Sequence, residues 1–189
     1  MPAALMPREE VVERLMKVIR QHGYDGASLV ELSKATGLGR SSLYHYFPDG
    51  KDDMVRAVLE QLEQGLRALI FEPLRGPEPP RRRLEQMIKA VNTYYRGGRD
   101  ACVLGNLVLG TSRTRFQATL RSIFDQWTDA VAAALREAGL SRADAQALAE
   151  DAVVRMEGAL VVAAGTEDPA VFTRTLKRIG ADIVAATEG

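Results

Sequence analysis

Cysteine occurs once in the 189 residues, at Cys102, and histidine twice, at His22 and His45. A single thiol cannot close a disulfide within the chain, so a disulfide scaffold is excluded and a reducing compartment is indicated. With so few soft ligands, no His/Cys metal cluster and no Cys–His dyad is expected, and neither is any metal or cofactor. Net charge is absent too, because 25 Lys and Arg balance 25 Asp and Glu. Attraction to a polyanion must then come from a local face. No apolar run reaches the roughly 18–20 residues of a membrane span. The N-terminus lacks a basic start followed by an apolar stretch, so no signal peptide and a cytoplasmic location are expected. Catalytic signatures are missing as well: there is no phosphate-binding glycine loop, no Gly-x-Ser-x-Gly elbow and no His-Glu-x-x-His. The expectation is a protein with no catalytic residues.

What the chain has is helix-forming material. It is 46% hydrophobic, contains 26 alanines and has few β-branched runs. Val11, Val12, Leu15, Met16 and Ile19 recur at helical spacing and make one buried stripe, which Gly23 stops. Ser28 followed by Glu31 is a capping box, and Thr36-Gly37-Leu38-Gly39 interrupts the helix it opens. A short helix from about Arg40 to Tyr46 ends at Pro48-Asp49-Gly50. A long amphipathic helix then carries Met54, Val58, Leu62, Leu66 and Leu69 on one face. Gly76-Pro77-Glu78-Pro79-Pro80 is the clearest break in the chain. Arg81-Arg82-Arg83 follows it and reads as a solvated helix start. Further helices are expected from Arg81 to about Arg96, about Cys102–Leu109, about Thr114–Ala138, Ser141 to about Ala164, and Asp168-Pro169 to about Ala185. The expectation is an all-α fold of nine helices.

Two short helices joined by a turn of four residues containing glycine have the layout of a helix-turn-helix. Leu29, Leu32, Leu38, Leu43 and Phe47 can meet in a small core, which leaves Arg40, Ser41, Ser42, Tyr44 and His45 outward. A helix this short fits a major groove about 12 Å wide. From Ser33 to Tyr46 the charged or titratable side chains other than tyrosine are Lys34, Arg40 and His45, with no Asp or Glu. A plain helical hairpin with a solvated polar side is the alternative on layout alone.

Thr36-Gly-Leu-Gly-Arg-Ser-Ser-Leu-Tyr-His-Tyr-Phe47, followed by Lys51, resembles the DNA-binding domain of the TetR family of bacterial transcriptional regulators. The Phe-Pro-x-Gly-Lys ending is similar to an LmrA/YxaF-like subset. The resemblance implies an all-helical homodimer whose first three helices bind a double-stranded DNA operator. It also implies a C-terminal bundle that binds a small-molecule effector and dimerises through its last two helices. Residues 1–51 would form the DNA-binding domain, a helix over 52–72 the link, and 52–189 the bundle. Carried over by position, Ser28 and Lys51 would face phosphates, and Gly39, Arg40, Ser41 and Ser42 would open the recognition helix. Tyr44 and His45 would contact phosphate or bases. Gly39 stands where a serine cap is frequent, Tyr46 where histidine is common, and Gly50 is an extra turn residue. The implied function is an effector-responsive repressor. The alternative is a helical small-molecule-binding or protein-interaction module without operator binding.

In the C-terminal half, the segment Gly98-Arg-Asp-Ala-Cys102-Val-Leu-Gly-Asn106-Leu is similar to one in the same subset that adjoins the effector pocket. Cys102 reads as a small core residue, with thiol sensing as the other reading. Aromatic and polarisable side chains on inner faces nominate Met87, Tyr94, Asn106, Phe116, Phe124, Trp127 and Met156 as pocket lining, against the plain alternative of core. Arg155 and Glu157 flank Met156 in an otherwise apolar helix and either bind ligand, pair with neighbours or face solvent. Val153, Ala159, Leu160 and Ala163 on one helix, with Phe172, Leu176, Ile179 and Ile183 on the next, form long apolar stripes. They are assigned to a four-helix dimer interface, the alternative being packing within one chain.

Overall fold

The computed structural model describes residues 6–188, and within them the protein is all-α. Nine α-helices longer than one turn are present among the described residues. They are α1 (Arg8–Gly26), α2 (Leu29–Thr36), α3 (Arg40–Tyr46), α4 (Lys51–Leu66), α5 (Pro80–Tyr94), α6 (Val103–Leu109), α7 (Arg113–Glu137), α8 (Arg142–Thr166) and α9 (Ala170–Thr187). The expected boundaries agree to within a few residues, because the caps that were read from sequence form. Ser28 Oγ accepts from the Glu31 amide at 3.2 Å and Ser141 Oγ from the Asp144 amide at 3.2 Å. Asp168 Oδ1 accepts from the Ala170 amide at 3.0 Å. Gly23 interrupts α1 with non-helical angles (φ 63°, ψ −170°), and a last turn follows it to Gly26.

The long helix departs from a regular ladder. After α4 comes a π-helical turn, Arg67–Phe71, and then a three-residue α turn, Glu72–Leu74. Pro73 has no N–H to donate, and the turn before it widens. Arg83 corrects the expectation of a solvated arginine run. It is buried, donates to the Leu74 carbonyl and pairs with Glu137, so it ties the end of the α4 extension to α5 and α7.

The residues group into two compact units. One holds the chain up to Gln64 together with Val103–Thr119; the other holds Gly65–Cys102 and the chain from Leu120. Segment 103–119 thus belongs with the N-terminal helices, whereas the sequence reading left it in the bundle. In the first unit α1 packs on α2 and α6, and its stripe Val11, Leu15 and Ile19 is buried. Leu32, Leu43, Phe47, Met54, Leu104 and Leu107 are among the residues buried with them in this unit. In the second unit α9 packs on α8 and on α5.

The Arg96-Gly97-Gly98 turn between α5 and α6 is left-handed at each residue (φ 48°, 67° and 90°). At Gly98 a side chain would also clash, since a Cβ there would lie 2.6 Å from Phe172 Cβ and 2.8 Å from the Pro169 carbonyl oxygen. Gly98→Ala is therefore expected to cost about 2–4 kcal/mol, from backbone strain plus overpacking. Thermal unfolding should show a melting temperature lower by roughly 5–12 °C. An unchanged melting temperature would mean that this turn repacks freely.

Candidate nucleic-acid interface

The first unit builds an exposed polar face from a turn whose backbone needs are met internally. Gly37 takes the left-handed conformation (φ 72°, ψ 10°) and closes α2 through its amide to the Ser33 carbonyl. Thr36 is buried; its hydroxyl donates to the Leu32 carbonyl at 2.8 Å and accepts from the Leu38 amide at 3.3 Å. Ser33 Oγ donates to the Leu38 carbonyl, and Arg14 reaches from α1 to the Thr36 carbonyl at 3.2 Å. With Leu43 and Phe47 buried beneath it, α3 is held by one side only. Tyr46 donates to the Met6 carbonyl at 2.6 Å, anchoring the chain ahead of α1 to the end of α3.

Ser28, Gly39, Arg40, Ser41, Ser42, Tyr44 and His45 are all exposed. Gly39 caps α3 without a side-chain hydrogen bond, so the first amides of that helix remain open to an anion. Among the described residues neither Arg40 nor Lys34 makes an ion pair, and their charge is left for an outside partner. Tyr44 is 44% exposed although its ring lies against Gly50, where a Cβ would sit 3.2 Å from the ring. Gly50 has φ 70°, so the extra turn residue supplies both the backbone angle and the space for that ring.

Lys51 behaves differently from the other seven. It is half-buried, with Nζ 4.3 Å from the centre of the Tyr24 ring, and burial draws its pKa down. Beside it Tyr24 Oη donates to Asp52 Oδ1 at 2.5 Å, and Arg115 Nη1 approaches Asp52 Oδ2 at 2.7 Å and Tyr24 Oη at 3.1 Å. These bonds hold the Asp52 carboxyl below its ordinary range, Tyr24 contributing most. Asp25 accepts from both the amide and the hydroxyl of Thr111. Within this unit, α1 and the first turn of α4 are thus pinned to the start of α7.

Two residues nominated for a pocket belong to this same network. Asn106 Nδ2 donates to the Arg20 carbonyl at 2.6 Å, and Phe116 packs 6.0 Å from Tyr24, centroid to centroid. The other five lie in the second unit. Met87, Trp127 and Met156 are buried there, and Tyr94 and Phe124 are half-buried. The Trp127 indole N–H is buried without a hydrogen-bond partner.

The second unit also contains a polar cluster made largely of residues the pocket reading omitted. Tyr95 Oη donates to Cys102 Sγ at 3.4 Å, and the Cys102 thiol hydrogen-bonds to Glu157. Burial pushes the Glu157 carboxyl up to about 7, and raises the Tyr95 phenol well above its ordinary range. Glu157 Oε1 is buried with no hydrogen-bond partner. Arg155 turns away and pairs with Asp151 at 2.6 Å and Asp182 at 2.8 Å. A lone acid within the apolar run 152–163 was the signal available in sequence. The chain position of its partners, Tyr95 and Cys102, was not.

The residues assigned to a dimer interface are buried inside the single chain. Val153, Ala159, Leu160 and Ala163 of α8, and Phe172, Leu176, Ile179 and Ile183 of α9, each have little or no exposed surface. The apolar face left open on α8 is the neighbouring one: Val154 is 69% exposed, Val161 53% and Val162 49%. Gly158 and Gly165 lie along it with open space above them. A helix apolar around most of its circumference has two faces to cover, and spacing alone does not say which is covered within the chain.

Comparison with known proteins agrees with this architecture. Residues 11–58 match the family described as bacterial regulatory proteins, tetR family. Residues 80–189 match the C-terminal domain described as transcriptional regulator, LmrA/YxaF-like. The transcriptional regulator AcuR of Cereibacter sphaeroides is 27% identical, over 94% of this chain and 86% of that one. The regulator LmrA of Bacillus subtilis is 20% identical, over 82% and 85%. A crystal structure of a regulatory protein TetR from Rhodobacter sphaeroides superposes with a TM-score of 0.79 at 26% identity, covering 92% of this chain and 96% of that one. No helix among the described residues is long and apolar enough to cross a membrane.

Proposed function

The chain belongs to the TetR family of bacterial regulatory proteins, and from that premise we propose that it is a homodimeric, effector-responsive repressor. It acts in the cytoplasm by binding, without catalysis. Its partners are a double-stranded operator, a second copy of itself, and a small apolar or aromatic molecule taken into the C-terminal unit. The observation that carries the reading is the α3 face, where Arg40, Ser41, Ser42, Tyr44 and His45 project on a helix of seven residues with no acid on it. Arg40, Ser41 and Ser42 meet base edges and backbone, and the first turns of α2 and α3 offer amides to phosphates. Ser28 has its hydroxyl engaged with Glu31 and meets phosphate as part of that cap. Lys51 acts through its seat on Tyr24, as a fixed charge beside the groove.

The second copy covers the open face of α8, so that two recognition helices present themselves to successive half-sites about one helical turn apart. An effector switches the protein only if it prefers the dimer whose recognition helices are wrongly spaced, since equal affinity for both forms moves nothing. The Tyr24–Asp52–Arg115 bonds supply a connection for that switch, because α4 and α7 both continue from the first unit into the second.

The test is a gel shift on DNA from the protein's own upstream region at several salt concentrations. Affinity should fall steeply with salt as phosphate contacts release counterions. Arg40→Ala should weaken specific binding by about 10- to 100-fold while the dimer stays folded. Equal affinity of wild type and variant would remove Arg40 from the interface, and no shift at any salt would return the alternative of a binding module without an operator.

A further inference from the structure

The second unit holds a buried carboxyl with one oxygen that its own fold does not satisfy. Glu157 Oε1 is buried and unpartnered, and the groups beside the carboxyl are the Cys102 thiol and, beyond it, the Tyr95 phenol, whose burial holds its proton on well above the ordinary range. No cation is among the groups that set its ionisation, and the Arg155 guanidinium two residues away gives both Nη atoms to Asp151 and Asp182 while its Nε stays buried without a partner. A buried carboxylate with no positive partner is costly, and an acid kept in such a place is a candidate for meeting its partner from outside. The Tyr95 ring is within electrostatic reach of the carboxyl and is itself flanked by two further rings. Tyr94 meets Tyr95 edge-on at 4.9 Å, and Phe172 meets Tyr95 at 5.7 Å. A carboxylate with a group of aromatic rings in the same region favours an ammonium group on an apolar body.

We infer that Glu157 is the polar anchor of the effector site and selects an organic amine in its protonated form, with Tyr94, Tyr95 and Phe172 holding its apolar part. The inference rests on the effector-responsive reading above and names the chemical class of the effector. An anionic effector would be repelled by the carboxylate, and a purely apolar one would leave Oε1 unpaired. Amine binding should also expel a proton, because a carboxyl protonated near pH 6 must ionise to pair with the cation.

Calorimetric titration of the full chain with 2-phenylethylamine, tryptamine and benzyltrimethylammonium tests it, with 2-phenylethanol and 3-phenylpropionate as neutral and anionic counterparts. At least one amine should bind about tenfold or more tighter than the alcohol, and Glu157→Gln should erase the difference. Repeating the titration at pH 6 in buffers of different ionisation enthalpy should show proton release from the wild type and none from the variant. Circular dichroism establishes that the variant is folded. Three results each overturn the inference: no amine binding at millimolar concentration, alcohol or propionate binding as tightly as the amine, or amine affinity surviving in Glu157→Gln. The operator gel shift separates the two levels. Release by a neutral or anionic aromatic alone sinks the amine inference and leaves effector response standing, whereas release by no compound of the series counts against both.

Discussion

Replacing Val161 with arginine is expected to turn the dimer into monomers at micromolar concentration and to weaken operator binding by at least about a hundredfold. The side chain is 53% exposed on the single chain, so the substitution leaves the monomer's own packing almost untouched. A twofold interface presents the same patch from both copies, and Val161 of each copy would bring a guanidinium into an apolar seam facing its like. Small neighbours make the effect larger, since the open space above Gly158 and Gly165 would let a partner helix approach closely, and a long side chain between them would hold the two helices apart. Without the dimer each recognition helix binds its half-site alone, and the effective concentration that couples two half-sites is lost. Light scattering after gel filtration reads the oligomeric state, and circular dichroism confirms that the helices persist. A variant that remains dimeric and shifts operator normally would place the interface elsewhere. The same substitution at Val153 would be uninformative, because Val153 is buried within the chain and a buried guanidinium there would disrupt the fold itself first.

Glu157→Gln is expected to change strongly the dependence of stability on pH between 5 and 8. The carboxyl stands at about 7 in the folded protein against an ordinary 4.5, so the folded state holds its proton more tightly than the unfolded chain. Its contribution to stability is complete below about pH 4.5 and is lost as pH rises through about 7. The loss by pH 8 amounts to about 3 kcal/mol. Glutamine keeps the shape and carries no charge at either pH. Wild type and variant should therefore melt together near pH 5, and at pH 8 the variant should melt about 6–12 °C higher. Asp25, Asp52 and Asp168 act in a different window. Hydrogen bonds hold each of them below the ordinary carboxylate range, so what they contribute is present near neutrality and fails only in acid. A wild-type melting temperature that does not fall between pH 5 and 8 relative to the variant would show that Glu157 is solvated or paired.

Much of the architecture was legible because its signals are local. A capping serine with an acid three residues on, a glycine that alone tolerates φ 72°, and a proline run that cannot continue a helix each act within one turn of chain. The recognition helix was legible for the same reason: Leu43 and Phe47 fix which side of α3 is buried, and Arg40, Ser41, Tyr44 and His45 then face outward by helical geometry. Lys51 escaped this logic. Its place at the start of α4 is local, but the ring it sits on belongs to Tyr24 of α1, and no spacing in the sequence announces that meeting.

The residues nominated for an effector site divide between the two units, which distance along the chain does not announce. Asn106 and Phe116 carry suitable side chains, yet each is engaged by α1, through the Arg20 carbonyl and the Tyr24 ring. Tyr95, Cys102 and Glu157 meet across gaps of seven and fifty-five residues, and only the packing of the second unit brings them together. The dimer stripe shows the same limit in a simpler form. The sequence alone established the helices, their caps and the outward face of α3, and for α8 an apolar stripe that could serve either a dimer or the chain's own packing. The tertiary structure decided which face of α8 the chain covers for itself and which acid it buries unpaired, because burial is settled by what other segments come to lie against a side chain, and that is a property of the whole fold.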